Sequence, residues 1–307
     1  MNEVIKTERI SKKYKDVLAV SEVSLHIAKG EIYGFLGLNG AGKTTTIRML
    51  LGMISPSNGA AYINGSLVTS KSSDLWKEVG YLVEIPYSYP ELTVFENLEI
   101  IRKLRGIKNS NAVSEVIDKL KLTTYSKRKA KNLSLGNAQR LGLAKALIHK
   151  PSILILDEPA NGLDPAGILE IRELLSNLAI NHGVTIFISS HILSEISRFA
   201  TRIGIIHNGI LIQEISTSQL EHLCRKQLII NTRNNILAEK MLAENGFRVN
   251  HYNNDLLAIN EEHAVNSPDI IAELLVNNNV SPLMLNVTEE DLESYFLRTI
   301  SEKGDRL

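Results

Sequence analysis

The sequence predicts an α/β fold with a mixed central sheet, an antiparallel β subdomain and a helical subdomain, followed by a small C-terminal α+β domain. An apolar segment at residues 32–36 leads through a glycine-rich loop into a helical pattern at residues 45–51. Two largely apolar runs, at residues 153–156 and 184–188, end in polar residues, as central strands of a parallel sheet do. After about Lys226 the strand and helix patterns start again. For 307 residues we therefore expect two domains, at residues 1–224 and 225–307.

The glycine-rich loop at residues 37–44 reads Gly-Leu-Asn-Gly-Ala-Gly-Lys-Thr, which is the G-x-x-x-x-G-K-S/T pattern of a P-loop. Its glycines lack Cβ, so the backbone can curl and direct successive N–H groups at a triphosphate, and the following helix presents its positive end to the same phosphates. We expect Lys43 to reach the β and γ oxygens and Thr44 to place its hydroxyl on Mg²⁺. The predicted nucleotide contacts in this segment are Gly37, Asn39, Gly40, Ala41, Gly42, Lys43, Thr44 and Thr45. A chance glycine-rich turn would explain neither the preceding strand nor the following helix.

Composition excludes some classes of function. The net charge is +0, with 34 basic and 34 acidic residues, so bulk charge gives no reason to expect a nucleic-acid partner. Cys224 is the only cysteine, which rules out an intramolecular disulfide and fits a reducing compartment. The chain contains no run of about 18 apolar residues, so we expect another chain to cross the membrane if the protein works there.

Short strands flank the glycine-rich loop. Residues 4–7 and 19–27 alternate like antiparallel strands, and Tyr14 is expected in the loop between them. Tyr14 is either an aromatic that stacks on adenine or a half-buried turn residue. Residues 57–63 predict a strand that ends in an Asn-Gly turn, and residues 79–84 predict a strand that ends in the carboxylate Glu84.

A helical region separates these strands from the rest of the predicted sheet, with helices expected at residues 94–104, 111–120 and 137–148. Before the last of these helices, Ser134 and Gly136 offer a hydroxyl and open backbone N–H groups at a helix start. This is either a second anion site or an ordinary N-cap.

Polar residues follow the predicted central strands at one edge of the sheet. Asp157 and Glu158 end the run at residues 153–156, where Asp157 could hold the Mg²⁺ shell and Glu158 could polarise the attacking water. Asp164 lies in the turn before a helix that begins near Pro165. His191 ends the next strand, where it either makes a local hydrogen bond or senses the γ-phosphate.

The region after Lys226 predicts β-α-β-β-α-β with a terminal helix. It contains no paired carboxylates, metal-ligand spacing or glycine loop, so we expect an accessory packing or regulatory domain. The expected elements are residues 227–232, 236–245, 247–252, 256–260, 268–276, 283–287 and 289–300.

Taken in order, these motifs resemble the ATP-binding cassette of ABC transporters over residues 4–223. The resemblance implies that Lys43, Glu158 as catalytic base and His191 as switch histidine carry the chemistry. It implies that Thr44 and Asp157 contact magnesium, that Tyr14 stacks on adenine and that Asp164 is the acid of the loop following the Walker B strand. Ser134 and Gly136 match the signature segment, which in the family contacts ATP bound by the opposite subunit.

Two departures from the family pattern stand out. The usual signature Leu-Ser-Gly-Gly-Gln has Leu135 and Asn137 in place of a glycine and the glutamine, while Ser134 and Gly136 remain. Glu84 stands where the family has a glutamine that contacts magnesium, which resembles the bacitracin-export and lantibiotic-immunity ATPases. Residues 84–98, 133–144 and 287–296 also look like that subgroup. Glu84 would add acceptor capacity to the metal shell but also like charge near the phosphates, and the alternative is that it simply does the positional job of the glutamine.

The resemblance implies an ATP hydrolase that uses ATP and Mg²⁺ and powers export of a bacitracin- or lantibiotic-type peptide from the cell envelope. It also implies separately encoded integral membrane permease subunits, a second nucleotide-binding domain that we expect to be another copy, and a peripheral position on the cytoplasmic face of the membrane. The first alternative is an exporter of an unrelated drug, ion or lipid. A cassette acting on DNA or ribosomes usually has long coiled coils or two nucleotide domains, whereas this sequence predicts one nucleotide domain and no sustained heptad run. A P-loop kinase would not explain the signature segment or His191.

Overall fold

The computed structural model describes residues 3–72, 75–84, 87–252 and 256–304, except for the side chains of residues 221, 222, 303 and 304. The chain divides into two compact units: the first contains the described residues up to Ser218 together with residues 303–304, and the second contains Gln219–Glu302. No helix in the described ranges is both long enough and apolar enough to span a membrane.

The first unit holds two sheets and most of the helices. Its strands are β1 (Glu3–Tyr14), β2 (Val17–Ala28), β3 (Ile32–Leu36), β4 (Asn58–Ile63), β5 (Ser66–Leu67), β6 (Val79–Leu82), β7 (Ile153–Asp157), β8 (Thr185–Ser190), β9 (Arg202–His207) and β10 (Ile210–Ser216). Its helices are α1 (Lys43–Leu50), α2 (Leu75–Glu78), α3 (Val94–Leu104), α4 (Ala112–Lys119), α5 (Leu135–Leu147), α6 (Pro165–His182), α7 (Leu193–Ile196) and α8 (Thr217–Leu223), the last of which contains the boundary. Short 3₁₀ turns lie at Thr123–Tyr125 and Ala130–Asn132.

The central sheet has the strand order β10-β9-β3-β8-β7-β6, in which only β10 runs antiparallel to its neighbour. Every residue of β3 and β7 is buried, which explains why both strands read as continuous apolar runs. The carboxyl ends of β3, β8, β7 and β6 therefore meet along one edge of the sheet, where ligands of open α/β folds bind.

An antiparallel sheet with the order β2-β1-β4-β5 forms the second layer of this unit. Buried side chains from β1, β2 and β4 pack with β3 and α1 in one apolar cluster, so the core lies between the two sheets and around α1.

The prediction of Tyr14 in a loop was wrong. Tyr14 is the last residue of β1 and pairs with Val17 across a two-residue turn, because β1 continues past its alternating segment through irregular register.

The helical region between β6 and β7 has the predicted helices. Thr93 and Glu96 form a capping box that starts α3. Ser134 caps α5 by accepting a hydrogen bond from the Asn137 amide.

The second unit contains β11 (Lys226–Thr232), β12 (Val249–Tyr252), β13 (Leu256–Ile259) and β14 (Pro282–Glu289), with α9 (Asn235–Glu244), α10 (Glu262–Asn266), α11 (Pro268–Asn277) and α12 (Leu292–Thr299). Its antiparallel sheet has the order β12-β13-β11-β14. Apolar residues of the sheet and of α9, α10 and α11 form a separate buried core. The predicted turn at residues 253–255 lies outside the described residues.

Candidate nucleotide-binding site

The loop between β3 and α1 forms an anion cradle. Gly40 and Gly42 have φ angles of +82° and +106°, in the region that glycine adopts without strain. A Cβ atom on Gly37 would lie 2.6 Å from the Ile206 carbonyl oxygen, and one on Gly42 would lie 2.7 Å from that of Ala19, so neighbouring backbone also requires glycine here. Because α1 begins at Lys43, the first amides of the helix have no acceptor within it and are open to a phosphate. The Ala41 amide, in contrast, donates to the Leu38 carbonyl.

Lys43 joins this cradle to the end of β7. Its side chain is only 6% exposed, and Nζ donates to the Gly37 carbonyl oxygen at 2.6 Å. Nζ also lies 3.2 Å from Oε1 of Glu158. A cation withdrawn from water and flanked by the loop is well placed to neutralise phosphate charge.

Asp157 is the centre of a buried oxygen cluster. Its Oδ2 accepts from the Thr44 hydroxyl at 2.7 Å, and its Oδ1 accepts from the Ser189 hydroxyl at 2.5 Å. Ser189 also accepts from the Glu158 amide at 3.0 Å. Ser189 was not predicted as a site residue, although the two serines at the end of β8 indicate that polar groups gather there.

The hydroxyl and carboxylate oxygens of Thr44 and Asp157 fit Mg²⁺, which prefers oxygen ligands and binds proteins through one or two carboxylates together with substrate phosphates. No cluster of three or more histidine, cysteine, aspartate or glutamate side chains suited to a metal occurs in the described part of the chain. The protein ligands therefore suit a magnesium ion that arrives with phosphate oxygens better than a self-sufficient metal centre.

Glu158 and His191 form a hydrogen-bonded pair at the ends of neighbouring strands. Nδ1 of His191 lies 2.8 Å from Oε2 of Glu158, a contact in which the imidazole N–H donates to the carboxylate. Oε1 of Glu158 is buried and finds no hydrogen-bond partner among the described residues, since the Lys43 ammonium contacts it without hydrogen-bond geometry. Glu158 also has a φ angle of +48°, and such backbone strain in a non-glycine residue is concentrated at functional sites. The carboxylate is thus held through Oε2 by His191, while Oε1 lies beside the Lys43 ammonium and makes no hydrogen bond with the described residues.

The Glu84 side chain contacts helix α1. Its carboxylate pairs with the Arg48 guanidinium at 2.5 Å, and its backbone has a φ angle of +56°. Its expected contact with magnesium stays a prediction. Tyr14 is 42% exposed, and the Lys12 ammonium lies over its ring, 5.3 Å from the ring centroid. Stacking of Tyr14 on adenine also stays a prediction.

Ser134, Gly136 and Asp164 lie at helix starts. Asp164 caps α6 by accepting from the Gly167 amide at 3.0 Å. In the described part of the chain, no hydrogen bond or ion pair joins these three residues to the loop at residues 37–42. Their contact with a nucleotide stays a prediction.

Comparison with known proteins gives consistent matches. The family model described as "ABC transporter" matches residues 20–161. The chain is 41% identical to the bacitracin transport ATP-binding protein BcrA of Bacillus licheniformis over 301 residues, which cover 98% of each chain. It is 36% identical to the lantibiotic transport ATP-binding protein SrtF of Streptococcus pyogenes over 75% of this chain and 100% of that protein. Among solved structures, it resembles a dimeric post-hydrolysis ATP-binding cassette bound to ADP and Pi, with 26% identity, a TM-score of 0.65 and coverage of 69% and 98%.

Proposed function

The chain belongs to the ATP-binding proteins of ABC transporters and is an ATP hydrolase of that family, and from this premise we propose that it powers removal of a bacitracin- or lantibiotic-type peptide from the cell envelope. The observation that carries this proposal is the 41% identity to a bacitracin transport ATP-binding protein over 98% of both chains, which includes the second unit. The similarity to a lantibiotic transport ATP-binding protein over 75% of the chain supports the same class of substrate.

Binding of ATP would rest on the cradle of residues 37–42 and the first turn of α1. In this proposal the open amides hold the phosphate oxygens, Lys43 neutralises the β and γ oxygens, and Tyr14 stacks on the adenine. Mg²⁺, held by Thr44 and Asp157 together with phosphate oxygens, would neutralise charge on the transferring phosphoryl group. Glu84 would contribute to the same shell.

Hydrolysis would proceed by in-line attack of water on the γ-phosphorus. Glu158 accepts a hydrogen bond from that water through Oε1, which the protein leaves without a hydrogen-bond donor. His191 holds Oε2 and so fixes the orientation of the carboxylate. Positioning and charge neutralisation would supply most of the acceleration, because phosphoryl transfer needs little covalent chemistry from the protein.

Partners and location follow from the family. We infer that the chain works with separately encoded integral membrane permeases, on the cytoplasmic face of the membrane, and pairs with a second copy of itself. The dimeric cassette structure that it resembles supports such pairing. Ser134, Gly136 and Asp164 would then contact the nucleotide bound by the other copy.

The substrate is tested by antibiotic protection. The chain is expressed with its native membrane partners in a sensitive bacterium, beside a Glu158→Gln variant, and growth inhibition by bacitracin and by several lantibiotics is measured. The proposal predicts protection against one of these peptides that is lost in the variant. If correctly assembled wild-type complexes give no protection against any of them, the peptide substrate is wrong, and export of an unrelated drug, ion or lipid replaces it.

A further inference from the structure

Leu135 stands where the usual signature segment Leu-Ser-Gly-Gly-Gln has a glycine, and its side chain packs directly on Gly162. A Cβ atom on Gly162 would overlap Cγ and Cδ2 of Leu135, so the leucine covers the α-carbon of this glycine. Gly136 lies close to the same residue, since a Cβ atom there would be 3.1 Å from the Gly162 carbonyl oxygen. The first turn of α5 therefore lies against the loop at residues 158–164, which connects β7 to α6.

This loop is short and internally hydrogen-bonded, so a displacement at Gly162 would be felt at Glu158. The Asn161 amide donates to the Glu158 carbonyl at 3.1 Å, and the Leu163 amide donates to the Ala160 carbonyl at 3.1 Å. At the far end, Asp164 is fixed as the cap of α6. Two consecutive turns thus link Gly162 to the residue that carries the candidate catalytic carboxylate.

A second contact between α5 and this loop supports the same link. Buried Gln139, one helical turn after Leu135, donates from Nε2 to the Glu158 carbonyl at 3.2 Å. The Glu158 backbone is then held by Ser189 at its amide and by Gln139 and Asn161 at its carbonyl, which sustains a left-handed φ angle of +48°.

A cavity lies beside this loop. A cavity of about 250 Å³ is lined by residues 158–162 together with His191, Leu175 and Phe199. The loop therefore borders open space on this side, and the contacts with α5 lie on another side of it.

We propose that Leu135 is a positioning residue for Glu158: by packing on Gly162 it holds the loop at residues 158–164 against α5 and so fixes the Glu158 carboxylate for hydrolysis. The inference rests on the proposed role of Glu158 but concerns a contact within one chain. Leu135 does not touch ATP in this scheme. Its side chain is 60% exposed, so its removal should disturb the loop more than the overall stability.

Hydrogen exchange of the nucleotide-free chain tests the contact itself. The variants are Leu135→Gly, Leu135→Ala and the conservative Leu135→Met, with Leu104→Gly as a matched control at another exposed leucine at a helix end. We expect amide exchange at residues 160–163 to rise at least about fivefold in Leu135→Gly, less in Leu135→Ala, and not in Leu135→Met or Leu104→Gly. Unchanged exchange in Leu135→Gly would overturn the proposal.

Steady-state ATP hydrolysis of the same variants tests the consequence. We expect kcat to fall about tenfold in Leu135→Gly, with KM for ATP and the melting temperature nearly unchanged, and to recover in Leu135→Met. Faster exchange with normal kcat would show that the contact orders the loop without positioning Glu158, which overturns the proposal. A wild-type chain that does not hydrolyse ATP would instead count against the proposed function, and the exchange measurement would still test the contact.

Discussion

The charged side chains around the loop at residues 37–42 are arranged in opposite pairs. Lys43 contacts Glu158, and Arg48 contacts Glu84. The substitution of glutamate for the family's glutamine therefore brings no uncompensated negative charge, because Arg48 on the P-loop helix neutralises it. Glu84 was expected to add an acceptor for magnesium and like charge near the phosphates, and its pairing with Arg48 reduces the second effect.

The Arg48–Glu84 pair predicts a rescue in nucleotide binding. If Glu84 lies near the bound phosphates as proposed, Arg48→Gln leaves its charge uncompensated, so we expect ATP without magnesium to bind about three- to fivefold more weakly because solvent and salt screen the repulsion. The double variant Arg48→Gln/Glu84→Gln restores neutrality and should bind ATP nearly as tightly as wild type. Nucleotide titrations in the presence of a chelator measure this, and losses that simply add in the double variant would refute the compensation.

The sequence predicted the site residues that follow central strands better than those that meet through side-chain packing. Thr44, Asp157 and Glu158 come together because the ends of parallel strands share one edge of the sheet. Two contacts were not predicted, those of Arg48 with Glu84 and of Leu135 with Gly162. Glu84 and Gly162 both have left-handed backbone, which the hydrophobic periodicity of the sequence does not indicate.

At the scale of elements, the residues that follow α5 and α3 are tied to α2 and to the start of β6. Nε2 of His149 donates to the Val79 carbonyl at 3.1 Å, and Arg105 donates to the same carbonyl and to that of Trp76. Nδ1 of His149 is buried without a partner in the described ranges, so the imidazole is neutral there. Burial, together with the nearby Arg105 charge, lowers the pKa of His149 to about 4.

His149 predicts a pH dependence of stability. Between the ordinary pKa of 6.5 and about 4, the unfolded chain binds a proton at His149 that the folded chain does not, so stability falls as the pH falls through this window. We expect wild type to lose about 1 kcal/mol relative to His149→Gln between pH 7.5 and pH 5, after allowance for partial solvent screening. Denaturant unfolding at both pH values measures this, and parallel losses in the two proteins would contradict it.

The order of elements along the chain was predictable, but the order of strands in the sheets was not. Alternation and apolar runs located β3, β7 and β8, whereas the sheet order β10-β9-β3-β8-β7-β6 arises from crossovers that depend on packing between layers. The extension of β1 to Tyr14 was missed because the polar stretch before it does not alternate and its register shifts along β2.

At the scale of the whole molecule, the chain has two units with separate apolar cores. All the residues of the candidate nucleotide site lie at or before His191, within the first unit. Residues 219–302 form a sheet and helices with their own buried cluster, so we propose that they constitute an accessory domain.

Removal of the second unit is therefore expected to leave nucleotide binding intact. A chain that ends at Cys224 should fold cooperatively and bind ATP as tightly as the full-length protein, because it retains the first core and every proposed ATP contact. Circular dichroism and nucleotide titration of the two proteins provide the comparison. A truncated chain that is folded but does not bind ATP would place part of the nucleotide site in the second unit.

ATP binding and turnover of purified Glu158→Gln, beside wild type, test the proposed chemistry most directly. Glutamine preserves the size of the side chain but cannot act as the carboxylate that orients and deprotonates water, so we predict unchanged ATP affinity and turnover at least about 100-fold slower. Turnover close to that of wild type would contradict the assignment of Glu158 as the catalytic base.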